Sequence, residues 1–160
     1  MIERTTHTRR RAAAALVVAI SLVGCVDELD PEVGARTLSA CDPRDSDPLV
    51  EISFTRDVQP LILRDRTKGG CSCHMAQATS HVGYDLTHFD LTSLETLRRG
   101  GSHSTDDIVV EGDPCSSVLY LKTGYAPPFG SRMPLSGPPF WSDEERLLLH
   151  DWIAEGARDN

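Results

Sequence analysis

Gly70-Cys71-Ser72-Cys73-His74-Met75 decides how the rest of this chain is read. Two cysteines running into a histidine place two thiols and an imidazole on one short turn. At the spacing C-x-x-C-H that set holds haem covalently: the thiols add to the two vinyl groups and the imidazole falls beneath the iron. Here the spacing is C-x-C-H. Cys73 and His74 keep the expected relation, Cys71 stands one residue too close, and Gly70 occupies the usual place of the first cysteine. A short C-x-C chelate with His74 also suits zinc or copper, but the chain offers no second cluster of the usual spacing.

Toward the N-terminus, Arg4, Arg9, Arg10 and Arg11 form a basic region ahead of the apolar stretch Ala12 to Val23. That stretch is too short for a permanent membrane span and has the shape of an export signal. It ends in Leu22-Val23-Gly24-Cys25, which resembles the lipobox of bacterial lipoproteins. The resemblance implies cleavage after residue 24 and acylation of Cys25, and several acyl chains on one residue anchor a protein stably. Loss of residues 1–24 removes four arginines and one glutamate, taking the formal net charge from −8 to −11. An acidic chain of this kind is the wrong sign for nucleic acid. It is compatible with steering a basic partner.

Export places the remaining thiols in an oxidising setting. With Cys25 set aside, Cys41, Cys71, Cys73 and Cys115 remain. If Cys71 and Cys73 take haem, Cys41 and Cys115 are left to form one disulfide. With no haem, two disulfides are open, although a Cys71–Cys73 bridge is a strained ring. A single thioether at Cys73 leaves one cysteine over, so parity favours two thioethers.

Residues 25–50 read as a flexible tether, rich in Asp, Glu and Pro. Residues 51–160 read as one domain. Ile52 to Arg64 is a helical segment that Ser53 or Thr55 can cap, with Phe54, Val58, Leu61 and Ile62 on one face and Pro60 as an obstacle. Gly69-Gly70 ends it. Ala76 to Phe89 has no apolar period and reads as loop. Asp90 or Thr92 opens a short helix carrying Leu94 and Leu97, stopped at Gly100-Gly101. Asp113-Pro114 opens another, with Val118, Leu119 and Leu121, stopped at Gly124. Ala126 to Phe140 holds half of the chain's prolines and excludes regular helix. Ser142-Asp143-Glu144-Glu145 is a capping box opening the last helix, whose stripe is Leu148, Leu149, Trp152 and Ile153. The expected class is mostly α, a small domain of short helices and long Pro/Gly loops. With few aromatics it has little core of its own, and such domains need disulfides, a metal or a cofactor.

If His74 is a proximal ligand, a low-spin electron carrier needs a second axial ligand from elsewhere. Met75 adjoins His74 and cannot reach the other haem face, and Met1 leaves with the signal. That leaves Met133, in the proline-bounded Arg132-Met133-Pro134, as the methionine able to serve; a thioether suits ferrous iron. His81, His88 and His103 are alternatives in polar loops, and His150 on the last helix reads as a surface or packing residue.

From Ile52 to Ala157 the chain resembles the single-haem, planctomycete-type cytochrome c-like domains of exported bacterial proteins. The resemblance rests on Phe54-Thr55-Arg56-Asp57-Val58-Gln59-Pro60-Leu61 before the Cys-His turn, which also accounts for Pro60. Asp90-Leu91 through Gly100-Gly101 follow the turn, with Phe89 in a leucine's place. Then come Gly112-Asp113-Pro114-Cys115-Ser116-Ser117 and Arg132-Met133-Pro134. Trp141-Ser142-Asp143-Glu144-Glu145 and Trp152-Ile153-Ala154-Glu155-Gly156-Ala157 close the pattern. The C-x-C-H spacing and Cys115 depart from it. The resemblance implies a cytochrome c-like fold around one covalent haem c, bound by Cys71 and Cys73, with His74 and Met133 as axial ligands of the iron. It implies an electron carrier, not an enzyme, relaying single electrons between donor and acceptor redox proteins at the bacterial cell envelope. The competing expectation is a cytochrome-like lipoprotein without haem, held by disulfides and acting as a structural or interaction module.

Overall fold

A computed structural model describes residues 41–104 and 106–160; the export signal and Cys25 lie outside them. Regular structure among the described residues is helical, with no strands and one isolated bridge between Gly101 and Ser104. No helix among them is long and apolar enough to cross a membrane.

The first helical segment is not a uniform α-helix. Phe54–Val58 is a π turn that passes into α1, Gln59–Leu63, with Pro60 in the first turn of α1. Pro60 has no N–H to give, and widening the turn before it places the ring where its missing bond is not needed. Ser53 holds the N-cap position but makes no side-chain cap; its hydroxyl donates to Asp159 at 2.9 Å.

Three of the sequence expectations for the next elements are corrected. Within Ala76 to Phe89, residues Val82–Thr87 form α2, ended by His88 in the left-handed region at φ 53. α3, Leu94–Arg98, is capped by Ser93 and Thr96 in a reciprocal box, whereas Asp90 accepts from Thr92 in the turn before it. α4, Val118–Thr123, begins four residues after Pro114. The reason is Ser117, whose hydroxyl donates to Asp113 O at 2.8 Å and accepts the Val110 N–H at 2.8 Å, so Asp113-Pro114 closes a turn instead. α5, Asp143–Ala154, has the capping box read from Ser142 and Glu145, both bonds present. Glu145 also pairs with Arg64 beyond α1.

The buried apolar residues fall into two groups. Phe54, Val58, Leu97, Leu149, Trp152, Ile153 and Ala157 are almost completely shielded and none lines the cavity beside the Cys-His turn. Trp152 packs at 5.5 Å between ring centroids on Phe54, and both are tied to Arg158 O: Trp152 Nε1 donates at 2.8 Å and Phe54 N at 3.0 Å. This is more core than the composition suggested. Ile62, Phe89, Leu91, Ile108, Val118, Leu119 and Trp141 are also buried, but line a cavity.

Residues 41–46, read as part of the tether, are instead fastened to the domain. Cys41 is bonded to Cys115, 74 residues on, with Cα atoms 5.6 Å apart. His150, read as a surface or packing residue, is buried and packs: its Nε2 donates to Asp42 O at 2.6 Å and its Nδ1 lies 2.8 Å from Asp151 Oδ1. Asp151 in turn accepts from the Ser46 amide at 3.1 Å.

Candidate functional site

The Cys-His turn is set by a pair of glycines. Gly69 ends the short turn Arg66–Lys68 at φ 81, a conformation glycine adopts without cost. Gly70 passes so close to the chain that a Cβ there would meet Arg64 O at 1.7 Å. No side chain fits. This turn brings Cys71 N to Ile62 O at 2.9 Å, and Trp141 Nε1 donates to Gly69 O at 2.8 Å. Ser72–His74 then makes a single 3₁₀ turn, and Leu91 N donates to His74 O at 2.9 Å.

α2 lies directly on His74. A Cβ on Gly83 would come 2.9 Å from Cys73 O and 3.0 Å from His74 Cε1 and Nε2, so α2 can sit there only because residue 83 is glycine. Thr87 Oγ1 is 3.5 Å from His74 Nδ1, and the Phe89 ring meets the imidazole edge-on at 5.6 Å. Burial lowers the His74 pKa from its ordinary 6.5, opposed in part by a hydrogen bond to the Phe89 backbone. A neutral imidazole, oriented through one ring nitrogen by a backbone group, is the form in which histidine ligates metals.

A cavity of about 280 Å³ opens beside this turn. Cys71, His74 and Met133 all line it, and so does His103. The walls are otherwise chiefly apolar, and no carboxylate lines it; Lys122 is the cationic side chain among them. Its volume falls just below the usual range for ligand pockets, roughly 300–1,000 Å³. Cys71 and Cys73 are both free thiols, and burial pushes the Cys71 thiol up to about 12. Of the two, Cys71 lines the cavity and Cys73 does not. The residue whose spacing departs from C-x-x-C-H is therefore the one on the wall.

The other histidines stand elsewhere. His81 Nδ1 lies 2.8 Å from Ala78 O and its Nε2 3.4 Å from Asp85, and His88 packs edge-on against Tyr84. Cys71, Cys73 and His74 do not form a three-donor cluster for zinc or copper. Among the described residues the group with donors within 4.8 Å of one another is Cys41, Cys115 and His150, where both sulfurs are already bonded to each other.

The donor set is of the kind a covalent haem would need: a thiol and an imidazole from one turn and a thioether from a distant stretch share one apolar cavity. Gly83, Thr87 and Lys122 belong to the site and are not visible in the sequence. Gly83 and Thr87 fall in a stretch without apolar period, and Lys122 looks like any lysine in the last turn of a helix. Comparison with family models, with curated proteins and with solved structures found no match.

Proposed function

We propose that this protein is a lipid-anchored monohaem c-type cytochrome that relays single electrons between redox proteins at the bacterial cell envelope. The observation that carries the reading is the meeting of Cys71, His74 and Met133 on one apolar cavity. Cys71, with Cys73 beside it, would hold the haem covalently, and His74 and Met133 would ligate its iron. Bound there, the haem supplies a ferrous–ferric couple that accepts and returns one electron. The chain's part is to orient and to exclude water. The Phe89 backbone and Gly83 fix the His74 ring, and Phe89, Leu91, Ile108, Leu119 and Trp141 keep the site apolar. Acylated Cys25 would tether the domain to the membrane.

The test is the mature protein made with c-type maturation machinery and run denatured on a gel. The band should stain for haem, and the pyridine haemochrome should have the maximum of one or two thioethers. Oxidised protein should show a weak far-red sulfur-to-iron band that Met133→Ala abolishes while lowering the potential. Haem extracted by acid acetone, or no haem, overturns the reading. It would leave the second one, a haem-free module, held by the Cys41–Cys115 bridge and the well-packed Trp152 region.

A further inference from the structure

Met133 reaches the cavity on a stretch, residues 126–140, that has no regular structure. Such backbone opens locally at little cost unless something fastens it. Here the fastening converges on the end of α4. Lys122 Nζ donates to the carbonyls of Phe129 and Ser131, both at 2.7 Å. The Lys122 carbonyl accepts the Met133 N–H at 2.7 Å, and Arg132 Nε donates to Thr123 O at 2.8 Å. The same Nζ sits 4.8 Å from the centroid of the Phe129 ring. One side chain thus holds both limbs of the turn Phe129–Ser131, and the backbone of the same residue holds Met133.

The choice of lysine follows from the geometry. Two carbonyls at 2.7 Å from one atom require a donor with several hydrogens, and an ammonium has three. Charge-assisted bonds of this kind are roughly twice as strong as neutral ones. No carboxylate lines the cavity to compete for the charge.

We propose that Lys122 is the positioning residue for Met133: it clamps the turn Phe129–Ser131 onto α4 and so presents the thioether to the cavity that His74 lines. The inference rests on the reading of Met133 as an axial ligand, but its first test does not. Amide hydrogen exchange is measured on the full chain made without haem maturation, for wild type, Lys122→Met and Lys122→Arg. In Lys122→Met the amide of Met133, bonded to Lys122 O, should exchange faster by about tenfold or more, with those of Leu121 and Leu149 unchanged. Lys122→Arg, whose fork can reach two carbonyls, should restore most of the protection. Unchanged exchange in Lys122→Met, or equal loss in both variants, overturns the clamp. Should Lys122→Met fail to fold, the wild type decides: Met133 N–H should exchange within about tenfold of Leu121 N–H, and a rate about a hundredfold faster overturns it.

Matured protein supplies the second readout. The far-red band should be lost in Lys122→Met and kept in Lys122→Arg, with the gel haem stain as loading control because it reads the thioethers and not Met133. A band unchanged in Lys122→Met overturns the positioning role. Absence of haem from every variant, with the exchange result as expected, overturns the functional reading and leaves the clamp standing as a feature of the loop.

Discussion

The two groups of buried residues use similar side chains to different ends. Around Trp152, apolar groups close on one another: Trp152, Leu149, Ile153 and Val58 have no exposed surface, and the indole N–H is bonded. Around Leu119, equally apolar residues face one another across a cavity, with an imidazole, a thiol and a thioether among them. A protein interior is ordinarily as dense as an organic crystal, so a cavity of this size lined by an imidazole, a thiol and a thioether is the place to which the proposed function is assigned. The Trp152 side makes the fold stand; in that proposal the Leu119 side receives the haem.

The sharpest break in that comparison is a pair of truncations. Trp152→Ala removes a fully buried ring, its contact with Phe54 and its bond to Arg158 O, and should cost about 3–5 kcal/mol. Leu119→Ala trims a side chain that already faces the cavity, and should fall near the low end for Leu→Ala, about 2 kcal/mol. Urea unfolding of both variants, in protein without added haem, reads the difference. Equal losses would mean that the two sides are one continuous core. Against a typical total of about 5–15 kcal/mol, the tryptophan variant alone should approach the limit of folding.

The disulfide comes next. It closes a loop of 74 residues and ties Cys41 to the turn ahead of α4. Chain entropy puts the stabilisation of such a loop at about 4 kcal/mol at most. Cys41→Ser with Cys115→Ser should lower the unfolding free energy by about 2–4 kcal/mol without releasing haem from matured protein. Haem loss on removing this bridge would show that Cys41 and Cys115 reach the cavity after all.

Gly83→Ala acts on the cavity side alone. Its Cβ would press on Cys73 O and on the His74 ring, so α2 must shift or the imidazole must turn. Overpacking of this kind costs about 1–3 kcal/mol. The NMR shifts of His74 should move while those of Trp152 stay. A change confined to α2 itself would mean that α2 yields and the ring is held by Phe89.

What could be read beforehand was local or combinatorial. Ser142 and Glu145 announce the start of α5 because a capping box is made within four residues. The thiol count allowed a Cys41–Cys115 bridge as one of several pairings, and elimination among three methionines pointed to Met133, which does line the cavity. What could not be read depends on distant contacts. α2 buries none of its residues, exposes Val82 and Leu86, and rests on the Cys-His turn through a glycine, so no periodicity betrays it. The start of α4 was misplaced because Ser117 is captured by Val110, a partner that no capping rule anticipates. His150 could be read only as a surface or packing residue, without its partner, because Asp42 lies over a hundred positions away.

The smallest expected effect is a response to acid, and it should touch only the closed side. Asp159 accepts from the Thr55 N–H at 2.8 Å, the Thr55 hydroxyl at 2.7 Å and the Ser53 hydroxyl at 2.9 Å, fastening the C-terminus to the start of the π turn. These bonds hold its carboxyl below the ordinary 3.8, the Thr55 backbone bond foremost. A depressed folded pKa means that the native state binds the proton less readily than the unfolded chain. The stabilisation is therefore complete above pH 3.8 and is lost as pH falls through the lower folded value. Asp159→Asn should lower the urea midpoint slightly at pH 7, and the gap from wild type should shrink as the pH drops below 4. No carboxylate lines the cavity, so the exchange rates of Leu119 and Met133 should not follow that titration. A gap that stays constant with pH would mean that Asp159 acts through its shape and not its charge. Cavity amides that loosened in step would join the two sides that the comparison separates.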